Sequence, residues 1–500
     1  MKPPTKPPMK LRRSAAALGA LSLLAIAATA ATPATSAAAP PPIRTHRTPN
    51  GLEVIVVENH AVPLVTVEIA AKNGAMAEPP EYSGLSHLYE HMFFKANAVL
   101  PNQTAYMARL RELGIVFNGT TGTERVNYFF TTTSDKTEES LVFLRDAITT
   151  PLFDQKELER ERVVVTGEMD RNEASPFYHF NHEIDGRVWF KYPTRKDPLG
   201  ARKTVLEATT AKMKTIQERY YLPNNSVLVV AGDVKADDIF ARADTLFAKW
   251  AKGPDPFASF PIPKHPALTK SEVVVVEQAV QSFIGRFVWH GPSTVEGELD
   301  ATYAADALGT ALGEPSSRFQ KALVDSGACV SAGWSWYTQR HTGPISLEVQ
   351  ATPDKIDVCL GAAKKEIEAM SDPAYVTQAE LADAAHILEI EQVKAREKPS
   401  ELAHILTFWW AVASLDYYTG YVGNLKKVTP ADTSRLVSTY MKGKPFVFGA
   451  LVSPEMTKAG ATPEHIKALV GAQAIHKVAV TAKAKPAAKP AVKPAVKGAN

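Results

Sequence analysis

The chain of 500 residues is long enough for two or more domains, and it is 45% hydrophobic and 22% charged. That composition excludes a disordered chain, a polytopic membrane protein and a disulfide-built miniature. The formal charge of +3 gives no ground for a nucleic-acid partner: residues 1–41 hold five Lys/Arg and residues 477–500 six Lys, neither holds an acid, and the stretch between them is acidic on balance.

The chain opens on MKPPTKPPMKLRR, followed by the apolar run AAALGALSLLAIAATAA and small residues such as Ala28-Thr29-Ala30. A basic block, a short apolar block and an A-x-A site predict a secretory signal peptide and leader over residues 1–41, and hence a periplasmic protein. The run is too short and alanine-rich to serve as a stable membrane anchor, and no Cys follows it to carry a lipid.

Between the ends the sequence repeats itself. Glu53-Val-Ile-Val-Val-Glu58 recurs as Glu272-Val-Val-Val-Val-Glu277, and Asp135-Lys136 recurs as Asp354-Lys355, both at an offset of 219 residues. Each copy runs from strands through a helix and further strands to long amphipathic helices. Each then reaches another apolar strand, near Val229 and near Val447. The expected fold is α+β, two similar domains, each a mainly antiparallel sheet with helices packed on one face. Residues 45–255 and 268–472 are the domains, and the Pro-rich residues 256–267 are the linker between them. Residues 477–500, rich in Lys, Pro and Ala, predict an extended solvated tail.

The first copy contains GLSHLYEHMFFKA, residues 84–96, which reads as a helix starting after Gly84. His87 and His91 are one turn apart on one face, as a two-histidine metal grip requires. Glu90 stands beside them, placed to take a proton from an activated water, in the order H-x-x-E-H. On the predicted helix QKELERERVVVTGEMDRNE, Glu161 and Glu168 share a face; either reaches a metal, or both belong to a solvated acidic stripe. Asn118-Gly119 is either a hairpin turn or part of a strand. His179 and His182 are spaced less well for a metal and suit helix packing, as do Phe408, Trp409 and Trp410. Cys329 and Cys359 are either paired or buried as free thiols.

These segments resemble the pitrilysin-type zinc peptidases, the family that includes the β-subunit of the mitochondrial processing peptidase. NGLEVIVVENHAVPLVTVEIAAKNG with Glu78, followed by GLSHLYEHMFFKA, is similar to the family's opening strands and metal helix. In that family a Glu 77 residues beyond the second His is the third ligand, and another important Glu precedes it by seven; here these are Glu168 and Glu161. The resemblance therefore implies one Zn2+ per chain on His87, His91 and Glu168, with Glu90 as general base and Glu161 supporting the site. It further implies that Asn118 and Gly119 lie on an edge strand that takes substrate peptide by strand addition.

The second copy lacks the metal motif. Its segment GEPSSRFQKALVDSGACVSAGWSW resembles a family segment whose Arg and Tyr help bind substrate, but those two positions are Val324 and Val330 here. The implied function is a zinc endopeptidase for unfolded peptides. The implied partner is a homologous subunit carrying the Arg/Tyr pair, a heterodimer, with a homodimer as the other arrangement. A noncatalytic assembly subunit of the same fold is the alternative function.

Overall fold

The computed structural model describes residues 42–295 and 297–478. The predicted signal peptide and nearly all of the Lys/Pro/Ala tail lie outside the described residues. The first half carries β1 (Ile43–Arg47), β2 (Glu53–Glu58), β3 (Leu64–Ala71), β4 (Val116–Thr121), β5 (Val126–Thr133) and β6 (Ser226–Gly232). The second carries β7 (Glu272–Glu277), β8 (Phe283–His290), β9 (Ser331–Trp336), β10 (Pro344–Ala351), β11 (Val447–Val452) and β12 (Ala474–Val478).

The two sheets are ordered β1-β2-β6-β3-β5-β4 and β12-β7-β11-β8-β10-β9. The repeat is therefore visible strand for strand from β2 and β7 onward, with β2–β6 and β7–β11 parallel and the later pairs antiparallel. The outermost strands break it. β1 pairs antiparallel with β2, whereas β12 pairs parallel with β7 from the far end of the chain. Lys477 and Val478, expected in the tail, belong to β12. Each strand near Val229 and Val447 sits inside its sheet, not at its edge.

Helices cover both faces of each sheet, which corrects the expectation of one covered face. Val54 and Val56 of β2 point into the core of their own half, with Leu88, Tyr89 and Met92. Their neighbours Ile55 and Val57 point the other way, with Val227 and Val229, onto Leu402, Leu406 and Trp410 of the helix Pro399–Val412 from the second half. The exchange is reciprocal. Phe180, Ile184 and Val188 of the helix Pro176–Val188 cover Val274, Val276, Val447 and Leu451 of the second sheet. Gly449 of β11 admits this approach, since a Cβ there would stand 2.2 Å from Ile184 Cδ1. Strands buried on both faces need unbroken apolar runs, and VIVV and VVVV are such runs. Each fully buried Phe, Ile or Val contributes about 1.5–3 kcal/mol to this docking.

Cys329 and Cys359 are joined in a disulfide that ties the segment before β9 to the helix Ile356–Ala369. Among the described residues no helix is long and apolar enough to cross a membrane.

Candidate metal centre

The helix Leu85–Phe93 starts at Gly84, whose φ of +85° and approach to the Leu199 carbonyl leave no room for a side chain. Its first amides are held by the buried Glu78 carboxylate: Gly84 N donates to Oε2 at 2.7 Å and Ser86 N to Oε1 at 2.5 Å. An acidic cap at the positive end of the helix dipole fixes the helix start. Burial, partly offset by these amides, pushes Glu78 up to about 7. Leu85, Leu88, Tyr89 and Met92 anchor the helix in the core, which turns His87 and His91 to the open side.

The helix Gln155–Glu173 runs beside it with Leu158, Glu161, Val165 and Met169 inward. Glu168, seven residues beyond Glu161, meets the two histidines. His87 Nε2 lies 3.3 Å from His91 Nε2, and Glu168 Oε2 lies 3.6 Å and 3.7 Å from these two nitrogens. Three donors on a tetrahedral zinc, each about 2.0–2.1 Å from it, stand about 3.3 Å apart, so this set fits zinc in both chemistry and spacing. It is also the single cluster of three such donors among the described residues.

Glu161 does not join the donors. Its Oε2 is 3.0 Å from His91 Nδ1 and its Oε1 is 2.7 Å from Lys95 Nζ. That contact fixes the His91 ring and turns Nε2 toward the other donors. Burial works against the Glu161 charge, but His91 and Lys95 hold its pKa below the usual range. Burial likewise opposes protonation of His91, yet Glu161, Glu90 and Glu168 raise its pKa. His87, buried and facing His91, falls to about 4 and stays neutral, as a ligand must.

Glu90 completes the group. Burial raises its pKa, and Thr121 Oγ1 offsets part of that by donating to Oε2 at 2.7 Å. Thr121 and Gly119 lie on β4, the outermost strand of the first sheet, so Asn118-Gly119 is strand and not turn. A Cβ on Gly119 would stand 2.8 Å from Glu90 Cγ, so only glycine fits against the carboxylate. Asn118 is the neighbouring residue on the same exposed edge, its Oδ1 accepting from Gly119 N at 3.0 Å. Helix and edge strand enclose a cleft of about 550 Å³ that all seven predicted site residues line, together with Phe94, Phe117 and Thr121.

Sequence reasoning missed Glu78 as a cap, and Lys95 and Thr121 as partners of Glu161 and Glu90. Lys95 was within reach, one turn beyond His91, and Thr121 shares the strand face of Gly119. His179 and His182 stand elsewhere, the first bonded to the Glu173 carbonyl and the second stacked on Tyr178. Val330 is exposed just before the outermost strand of the second sheet, and Val324 packs against the second core.

The first half matches the family model described as Insulinase (Peptidase family M16) over residues 53–187. The second matches the model described as Peptidase M16 inactive domain over residues 207–388, where the described residues hold no cluster of three metal donors. An uncharacterized zinc protease of Rickettsia felis is 30% identical over 206 residues, 41% of this chain and 49% of that one. The match thus spans about half the length of that relative. The zinc protease PqqE of Helicobacter pylori is 23% identical over 399 residues, 79% of this chain and 89% of that one. The fold also superposes on the periplasmic protease PqqL of Escherichia coli with a TM-score of 0.70 at 16% identity, covering 87% of this chain and 50% of that one. The chain belongs to peptidase family M16, the insulinase or pitrilysin family of zinc proteases.

Proposed function

We propose that this chain is a zinc metalloendopeptidase of the periplasm that hydrolyses unfolded peptides together with a companion subunit of the same fold. The observation that carries the reading is the convergence of three zinc-compatible donors and a buried carboxylate, Glu90, on a cleft bordered by β4, the edge strand of the first sheet among the described residues. His87, His91 and Glu168 are the ligands, and Glu161 orients His91. Zinc held there supplies Lewis acidity, polarising a peptide carbonyl and acidifying water. Glu90 takes the proton of the attacking water and passes it to the leaving amine, and burial, by raising its proton affinity, strengthens it as a base. β4 receives the substrate as an added strand, with Asn118 beside the bound backbone and Gly119 leaving room for the base.

The predicted signal peptide supports the periplasmic assignment. So does the Cys329–Cys359 disulfide, since such bonds persist in oxidising compartments. Val324 and Val330 leave a homodimer without the family's Arg and Tyr, which favours a heterodimer whose partner keeps them. The same two valines favour, as a second reading, a noncatalytic assembly subunit.

The test is zinc content and hydrolysis of unstructured peptides, for the chain alone and with a homologue that keeps the Arg/Tyr pair. Glu90→Gln is expected to retain zinc and lose activity by about 10²–10⁴-fold. His91→Ala and Glu168→Ala are expected to lose the metal. An active Glu90→Gln protein refutes the mechanism. Full activity of the isolated chain, unchanged by the companion, refutes the heterodimer. Absence of hydrolysis in every combination leaves the assembly reading.

A further inference from the structure

A separate cavity of about 440 Å³ opens where the two halves and the linker meet, with Lys72, Phe257, Ile262, Arg340 and Ala411 on its walls. Lys72 is half-buried, its ammonium over the Trp410 ring at 4.5 Å. Burial and the neighbouring Arg340 charge push it below the usual lysine range. The carboxylates around these two cations are engaged elsewhere. Glu53 meets Arg47 at 2.5 Å and Trp410 Nε1 at 2.9 Å. Glu124 accepts from Arg340 N at 2.7 Å and His341 N at 3.2 Å. Asp255 is exposed and caps Phe257 N at 2.8 Å. Lys72 and Arg340 repel one another, Glu53 and Asp255 act on Lys72 only from beyond ion-pair distance, and no carboxylate among the described residues is paired with either cation, so an anion entering the cavity gains from both.

We propose that this cavity binds the terminal carboxylate of a short peptide, between the Arg340 guanidinium and the Lys72 ammonium. The planar fork of Arg suits a carboxylate, and Asp255 and Glu124 on the same walls disfavour a doubly charged phosphate. Phe257, Ile262 and Ala411 form the apolar wall for the residue that carries the carboxylate. The choice of a peptide as its source rests on the peptidase reading; the anion site itself does not.

Calorimetric titration of the full chain with N-acetyl-leucine, N-acetyl-leucinamide and inorganic phosphate tests the site, because none of these requires hydrolysis. The expected result is one saturable site for N-acetyl-leucine, with the amide and phosphate each weaker by about tenfold or more. Lys72→Met and Arg340→Met, which keep the side-chain stems, should each weaken the carboxylate by about tenfold or more without lowering the thermal midpoint. Lys72→Gln serves if the Met variant does not fold. Equal binding of acid and amide, or affinity unchanged in the folded variants, overturns the site. Phosphate binding as tight as the carboxylate overturns the choice of ligand. Carboxylate binding by a chain that hydrolyses no peptide leaves this site standing while the peptidase reading fails.

Discussion

Gly119 and Glu90 meet so closely that the strand and the base constrain one another, and this contact can be tested apart from the metal. Gly119→Ala puts a methyl where Glu90 Cγ and Oε1 now are, forcing the carboxylate or β4 to shift. Displacing a reacting group by about 1 Å costs about 10²-fold. The expected outcome is a fall in peptide hydrolysis of that order with zinc content unchanged. Metal analysis beside a peptidase assay checks it, and a loss of zinc would show that the helix itself had moved. Glu161 makes a related point. Its spacing from Glu168 left it open as a donor, the family resemblance implied a supporting place instead, and its contacts with His91 and Lys95 are those of a group that orients a neighbour.

The β4–β5 hairpin links the second half to the candidate metal centre. Thr121 at one end holds Glu90, and the turn beyond it is tied on three sides. Thr123 O accepts from Met76 N at 2.8 Å. Glu124 takes the two amides of Arg340 and His341 in the second half. Arg125 Nη1 donates to His404 O and Thr407 Oγ1 of the helix Pro399–Val412, each at 2.7 Å. Glu124→Ala leaves two sheltered amides without acceptors, a loss of about 1–3 kcal/mol. The expected result is a lower denaturant midpoint together with a raised KM for peptides, because the strand edge proposed to receive them loses a brace. An unchanged KM in a destabilised variant would confine Glu124 to folding.

At the scale of the whole molecule, the interface between the halves is expected to weaken in acid, and the second half to depend on its disulfide. His290 stacks on Trp189 at 4.8 Å and bonds the Val188 carbonyl at 2.9 Å. Burial, outweighing that bond, lowers its pKa from the usual 6.5 to about 4. The folded chain therefore binds fewer protons there than the unfolded one. Its contribution is full above about 6.5 and is lost as pH falls through about 4. Urea midpoints measured from pH 7 to pH 4 should fall in the native chain and fall less steeply in His290→Gln. The Cys329–Cys359 bond closes a loop with a sequence separation of 30. Loop-closure entropy values such a bond at about 3–4 kcal/mol. Reduction, or Cys329→Ser with Cys359→Ser, should lower the thermal midpoint, and a scan with and without reductant reads it.

The histidine pair of the candidate metal centre was legible in the sequence because its information is local, whereas spacing left Glu161 and Glu168 open as donors and the family resemblance assigned Glu168. The i, i+4 spacing of His87 and His91 and the seven-residue spacing of Glu161 and Glu168 are properties of a helix, whatever surrounds it. The repeat was legible for the same reason, as strand composition recurs at a fixed offset of 219 residues. The unbroken apolar runs of β2 and β7 fit two covered faces where one was expected, but a run says only that something covers it. That the cover is a helix lent by the opposite half was decided by tertiary packing, where Ile184 against Gly449 and Leu406 against the first sheet each bring together residues hundreds of positions apart. The same holds for the pairing of Cys329 with Cys359, for Glu78 as the cap of the metal helix, and for Thr121 against Glu90. Each joins separate elements through a contact that no periodicity encodes, so each had to wait for the fold.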